Sequence, residues 1–360
     1  MILLRLELKI IHFLNHAQIG NGHVCVAVDL ACEQARQGHE VHFISAQCDF
    51  LDCLTSNGVS HHPISASSGP GKALSLAHSF YRASKRIQPD VVNAHMVASA
   101  LAAFATKRLL DFSLVTTIHN SFDRQARLMG VGDRVIAVSE AVKEQMIKRG
   151  IPKSKLRTVR NGTIGGARRP LHPENLVDLH HPAIVTVAGL HPRKGINYLI
   201  EAFDLLSAEV PEANLYIVGG GPFDQILKDQ ANSLKCRERI HFTGYWIDPR
   251  EILANADIFA LASLSDPFPL VLSEARQMGC AIVATSVDGI PEALYHGEKG
   301  LLVPPADAPS LSAAMLNLLK DDAVRRRFSD AARDDLEAVT VSRMSAETVK
   351  VYEEAKALRT

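Results

Sequence analysis

Across its 360 residues the chain has no net charge, 39 lysines and arginines being matched by 39 aspartates and glutamates. That balance leaves no whole-chain footprint for nucleic acid, and no nucleic-acid partner is expected. Cysteine is scarce and scattered (Cys25, Cys32, Cys48, Cys53, Cys236, Cys280) with no C-x-x-C pair. This excludes the common metal and redox motifs and reads as free thiols in a reducing compartment. No apolar run approaches the roughly 20 residues of a spanning helix; the best stretch, Met96 to Thr106, stops at Lys107. Arg5, Glu7 and Lys9 put charge where a secretory signal keeps its apolar region, so a cytoplasmic protein is expected. Repeats of solenoid period and low-complexity tracts are missing too.

What is present is a globular composition, 47% hydrophobic and 22% charged. Such a length exceeds one ordinary core and predicts two domains of similar size. Their charges differ: residues 1–165 hold 19 basic and 12 acidic side chains, the remainder 20 and 27. A cationic half and an anionic half suggest that the two meet different ligands.

Short β-rich runs alternate with helical stretches along the whole chain. Lys9–Leu14, Val41–Ile44, Val91–Ala94, Leu114–Ile118 and Val135–Val138 read as strands, with helices at His23–Gln37, Leu74–Ile87 and Ser99–Leu110. The rhythm restarts with strands Ala183–Val187, Leu215–Val218, Ile258–Leu261 and Ile282–Ala284, separated by helices Ile196–Ser207, Asp224–Leu234 and Leu270–Met278. Alternation of this kind predicts an α/β protein with two doubly wound parallel sheets. Residues 1–165 form the first domain, 166–181, rich in Gly, Pro, Arg and His, a linker, and 182–341 the second domain. Open parallel sheets bind ligands beyond the carboxyl ends of their strands, so two such edges facing across a cleft would make that cleft the default site.

Four segments stand just after strands. Gly20-Asn21-Gly22 opens the first helix, where glycines let backbone N–H groups approach a phosphate, although a plain tight turn is an equal reading. A dinucleotide fingerprint is incomplete there, since Cys25 occupies the third glycine position, and a Walker lysine is absent. Gly189-Leu190-His191-Pro192-Arg193-Lys194-Gly195 sets two cations at a helix start, suited to a diphosphate, or else forms a solvated basic turn. Gly219-Gly220-Gly221-Pro222 is a further strand-to-helix loop with no side chains to hold a ligand off. Finally Asp266 and Glu274 bracket a loop-to-helix junction. One carboxylate can stand near a sugar and the other against ribose hydroxyls; the plain alternative is a helix cap and an ordinary helix acid.

With these segments in order, the chain resembles glycosyltransferase family 4, the retaining group with the two-domain GT-B fold. Asp90-Val91-Val92-Asn93-Ala94-His95, Ile118-His119-Asn120, Arg160-Asn161-Gly162, Thr285 to Glu292 and Gly300-Leu301-Leu302-Val303 extend the resemblance over nearly the whole length. It implies two Rossmann-like domains and a nucleotide-sugar donor, UDP- or GDP-linked, held mainly by the C-terminal one. Lys194 would bind the diphosphate with Arg193, Gly220 and Gly221 beside it; Glu274 would take the ribose, and Asp266 and His119 would lie near the reacting sugar. Gly20 and Gly22 would border the diphosphate, and residues 342–360 would form a helix crossing back to the N-terminal domain. Members usually need no metal, in keeping with the absence of a D-x-D triplet, so no cofactor is expected. Two positions depart from the pattern: Gly189 stands where an arginine is usual, and Asp266 where a glutamate is.

The resulting expectation is a retaining glycosyltransferase, EC 2.4 class, acting on a glycan or lipid-linked acceptor in cell-surface polysaccharide, lipopolysaccharide or glycolipid synthesis. A nucleotide-sugar 2-epimerase and a weakly catalytic nucleotide-sugar-binding subunit are the rival readings. Seven basic residues between Lys143 and Arg160, with only Glu144 opposing them, suggest peripheral attachment to an anionic membrane at its inner face. A solvated helix end is the alternative.

Overall fold

The computed structural model describes residues 7–64 and 71–359, so Arg5 lies outside the described residues. They divide into two units, one of residues up to Arg168 together with Val339 onward, the other Arg169–Ala338.

The first unit is built on seven strands: β1 (Lys9–Phe13), β2 (Glu40–Ser45), β3 (Ser60–Pro63), β4 (Val91–Ala94), β5 (Ser113–Ile118), β6 (Arg134–Ala137) and β7 (Leu156–Thr158). All pair in parallel, in the order β3-β2-β1-β4-β5-β6-β7. The central strands are buried on both faces, which explains their near-continuous apolar runs. The order reverses between β1 and β4, and a crevice opens at such a switch point.

The second unit repeats the plan with β8 (Ala183–Val187), β9 (Asn214–Val218), β10 (Ile240–Gly244), β11 (Ile258–Leu261), β12 (Ala281–Thr285) and β13 (Leu301–Val303). Their order is β10-β9-β8-β11-β12-β13, all parallel, with the switch between β8 and β11. Ile184, Leu215 and Ile258 pack against Leu199, Phe203 and Leu206 of the helix Ile196–Ser207 in its core.

The C-terminal helix, Val341–Ala357, belongs to the first unit. Thr340 caps it by accepting from the Arg343 amide at 3.2 Å. It packs on β5, β6 and the helix Gly22–Arg36, burying Met344, Val351, Tyr352 and Ala355. Asn93 Nδ2 donates to the Tyr352 hydroxyl at 2.8 Å inside that contact, while Glu354 accepts from Arg157 at 2.7 Å and Arg134 at 3.1 Å at its edge. Residues 169–181 are tied to the second unit: Arg250 donates to the Pro170 and Leu171 carbonyls at 2.7 and 3.1 Å, and Asn255 to the Val177 carbonyl at 2.7 Å.

Tyr352→Phe removes the acceptor of the Asn93 side-chain amide and leaves a buried donor unpaired. A loss of about 1–3 kcal/mol in unfolding free energy is expected from urea titration of the first unit's transition. An unchanged midpoint would show that the hydroxyl bears no load.

Candidate active site

Both switch points carry the segments singled out above. In the second unit, the turn after β8 is a short 3-10 helix, Pro192–Lys194, ending at Gly195. Gly195 has φ +62°, and a Cβ there would stand 2.0 Å from the Ala262 carbonyl oxygen just beyond β11, so only glycine lets the two loops approach. The Leu264 amide accordingly donates to the Arg193 carbonyl at 2.7 Å.

This closeness brings Lys194 to Asp266. The ammonium and carboxylate form an ion pair with side chains only 13% and 8% exposed. Ser263 Oγ donates to the same carboxylate at 3.4 Å. Asp288, after β12, accepts from the Asp266 amide at 2.8 Å and from Ser265 Oγ at 2.6 Å, which fixes the loop that presents the pair. Arg193 reaches the Ser265 carbonyl at 3.5 Å. Asp266 is not a helix cap: the helix Leu270–Met278 is capped by Pro269 without any side-chain bond. The capping alternative is therefore excluded by geometry.

The glycine loop after β9 lies against the β8 turn. Leu190 donates its amide to the Gly220 carbonyl at 3.0 Å, and a Cβ on Gly221 would meet the Leu190 oxygen at 2.5 Å. Gly220 is open on its outer side, with nothing within 4 Å of where a Cβ would stand. At Gly189 a Cβ would meet only His191 and the Gly220 carbonyl oxygen, at 3.4 Å or more, so no backbone requirement excludes an arginine there.

Glu274 sits within the helix Leu270–Met278, buried and bonded to Arg169, whose Nη1 lies 2.7 Å from its Oε1. The same guanidinium is 3.6 Å from Asp248, itself gripped by Arg250 at 2.6 Å. Burial pushes the Asp248 carboxyl up, but the two arginines outweigh it and hold it below the ordinary range. Arg169 went unnoticed in sequence because it stands in a stretch free of apolar periodicity. Asp288 lay inside the Thr285–Glu292 segment without a role of its own.

In the first unit, Gly20 (φ +86°) and Gly22 are exposed, on either side of Asn21, which precedes the helix Gly22–Arg36. His119, one residue beyond β5, lines a cavity of about 380 Å³ together with Asn15, His23, His95, Asn120 and Asp123. It is not alone. His12 Nδ1 is 3.0 Å from His95 Nε2, His95 Nδ1 is 3.0 Å from His119 Nε2, and Gln34 Oε1 is 2.8 Å from His12 Nε2. The other nitrogen of His119, Nδ1, is buried without a partner, as are Asn15 Oδ1 and His23 Nε2. Burial drives the His119 pKa down to about 3, with His23 adding to it, and that of His12 to about 4 despite the bond His12 donates to Gln34. His23 falls to about 4 through burial and then His16, and His95 lies well below the ordinary value. These imidazoles are neutral at physiological pH. His95 follows β4 as His119 follows β5, a parallel that was visible in the sequence; His12, inside β1, gave no such signal.

Among the described residues no group of three or more His, Cys, Asp or Glu is arranged to hold a metal ion, and no helix is long and apolar enough to cross a membrane. Of the basic run 143–160, Lys143 pairs with Glu140, Arg157 with Glu354, and Lys155 donates to the Gly130 and Gly132 carbonyls. Arg149 instead joins Arg124, Arg127 and Leu128 around an open groove of about 640 Å³.

Two all-parallel α/β units, each with its strand-end loops at a switch point, define a GT-B architecture. The model of glycosyltransferase family 4 matches residues 20–163, and that of the glycosyl transferases group 1 matches 168–335. The chain belongs to this family and is a glycosyltransferase, an enzyme that moves sugar from a nucleotide sugar. N-acetyl-alpha-D-glucosaminyl L-malate synthase of Bacillus anthracis is 26% identical over 335 residues, covering 86% of this chain and 88% of that one. A glycosyltransferase from Rickettsia africae ESF-5 superposes with a TM-score of 0.81 at 20% identity, over 98% of this chain and 99% of the other. Anabaena Alr3699/HepE in complex with UDP-glucose gives 0.80 at 19% identity, over 96% and 100%.

The depressed histidines make a pH prediction. An unfolded histidine titrates near 6.5, so between that value and the folded one the unfolded chain binds more protons. Stability is complete above pH 6.5 and falls as pH falls, by about 1.4 kcal/mol per pH unit for each such histidine. Urea midpoints of the wild type should drop from pH 7 to pH 5, and drop less in His12→Phe. Equal midpoints at both pH values would contradict the neutral, buried assignment.

Proposed function

We propose that the protein transfers a sugar, with retention at the anomeric carbon, from a UDP- or GDP-sugar to a hydroxyl of a glycan or lipid-linked acceptor in cell-surface polysaccharide, lipopolysaccharide or glycolipid synthesis. The observation that carries this reading is the Lys194–Asp266 pair at the β8/β11 switch point, between the glycine turns. The fold shared with the UDP-glucose complex of HepE supports it. Lys194, with Arg193 and the amides around Gly220 and Gly221, meets the diphosphate; Glu274, held by Arg169, accepts from the ribose hydroxyls. Asp266 and His119 meet the transferred sugar, and Gly20 and Gly22 border the diphosphate. As the glycosidic bond breaks, negative charge grows on the leaving diphosphate, and preorganised cations and amides stabilise it without a metal ion.

Lys194→Ala should lower kcat by about 10²–10³-fold, the scale of losing one preorganised donor at a developing anion. The variant also strands Asp266 without its buried partner, which costs about 3–5 kcal/mol in stability. Lys194→Ala with Asp266→Asn should regain most of that stability and none of the activity. Glu274→Ala should weaken the free nucleoside diphosphate tenfold or more, since bonds to a charged group contribute about 1.5–3 kcal/mol each. Calorimetry and donor-panel kinetics check both; wild-type turnover in Lys194→Ala would remove the pair from the site.

The Arg124–Arg127–Arg149 groove, together with Lys148 and Lys153, supports a cytoplasmic enzyme that docks peripherally on the anionic inner face of a membrane. Each basic residue near such a surface contributes about 1 kcal/mol. Co-sedimentation with phosphatidylserine vesicles at low salt should be strong and should fall on adding salt or on Arg124→Glu with Arg127→Glu. Absence of binding at low salt would exclude membrane docking.

A further inference from the structure

We propose that Gln34, His12 and His95 are positioning residues that lock His119 in one tautomer, with its Nε2 protonated and its Nδ1 left bare as an acceptor for a carbohydrate hydroxyl in the first unit's cavity. The role of His119 toward sugar rests on the function proposed above; the lock itself does not.

Strand order builds the chain of bonds. β1, β4 and β5 are adjacent, with His12 opposite Asn93 and Asn93 opposite Val115. His12 within β1, His95 one residue past β4 and His119 one residue past β5 therefore step across three neighbouring strand ends. Their rings stand 5.2 and 5.3 Å apart, with interplanar angles of 21° and 24°.

A neutral imidazole has one N–H and one lone pair, so a bond at one nitrogen dictates the state of the other. The Gln34 carbonyl oxygen at 2.8 Å requires a proton on His12 Nε2. His12 Nδ1 is then bare and accepts from His95 Nε2–H; His95 Nδ1 is bare and accepts from His119 Nε2–H. The sense ends at His119 Nδ1, which has no partner. The carboxamide meets His12 through its oxygen, while Gln34 Nε2 is buried without a hydrogen-bond partner. Neither end of the chain is a carboxylate, unlike a base-activating dyad, so the arrangement selects hydrogen-bond polarity and not basicity.

The other ionisable groups facing His119 are His23, His16 next to it, and Asp123 on the cavity wall. The burial-driven depression of His12, His23, His95 and His119 keeps the chain neutral, so its polarity is insensitive to pH from about 5.5 to 8.

Nitrogen-15 histidine spectra of the full chain read the lock directly, because protonated and bare ring nitrogens resonate far apart. Wild type should show His119 with Nε2 protonated and Nδ1 bare, unchanged between pH 5.5 and 8. Gln34→Met should give a mixture of tautomers and lower kcat on the order of tenfold, the scale of one misdirected hydrogen bond, with nucleoside diphosphate affinity unchanged. Gln34→Glu, which keeps the acceptor oxygen, should restore the single tautomer and most of kcat, while making the His119 signals move with pH. A protonated Nδ1 on His119 in wild type overturns the proposal, as does a Gln34→Met protein with wild-type spectrum and kcat. If Gln34→Met fails to fold, the wild-type spectrum alone decides the sense. Wild-type protein with the expected tautomer but no transfer from any nucleotide sugar would refute the proposed function and leave the lock standing.

Discussion

A parallel strand must be followed by a crossover, and every crossover leaves from the same edge of the sheet. That constraint organises this molecule more than any single contact. In the first unit Gly20 and Gly22 follow β1, His95 follows β4 and His119 follows β5; in the second, Arg193 and Lys194 follow β8, Gly220 and Gly221 follow β9, Asp266 follows β11 and Asp288 follows β12. Residues up to 100 positions apart are thereby delivered to one edge. Where strand order reverses, the helices leave on opposite faces and the loops are free to hold a ligand.

Electrostatics then separates the two edges. The second unit's edge is built from ion pairs: Lys194 with Asp266, and Arg169 shared between Glu274 and Asp248. Each pair holds charge at low exposure, where removing one partner is costly and exchanging one anion for another is cheap. A phosphate can therefore take the place of a carboxylate contact without stranding the cation. At the first unit's edge the carriers are neutral imidazoles in series. Neutral groups in a buried site discriminate by bond direction, which suits hydroxyl-bearing ligands.

The sequence was most legible where strands are buried on both faces. Val91–Ala94, Ala183–Val187 and Ile258–Leu261 have the bounds expected of them. The four strands left unread, β3, β7, β10 and β13, are the four sheet edges. Edge strands are short and half-solvated, and Ser-His-His-Pro or Leu-Arg-Thr carries little apolar pattern. Within the candidate site, residues standing in glycine turns were readable because only glycine tolerates the backbone approach at 195 or 221. Arg169, Asp288, His12 and Gln34 were not, since each acts through a partner distant in sequence. Residues 166–181 looked like a linker for the same reason: polar composition conceals the bonds that tie 169–181 to Arg250 and Asn255.

The central claim is that the ion pairs of the second unit hold the places of a donor's phosphates and ribose. The most direct measurement is a crystal structure of the protein with a nucleoside diphosphate bound. The account predicts phosphate oxygens within hydrogen-bonding distance of Lys194 Nζ and of the amides near Gly220 and Gly221, and both ribose hydroxyls on Glu274. A diphosphate bound elsewhere, with Lys194–Asp266 and Arg169–Glu274 undisturbed, would contradict it.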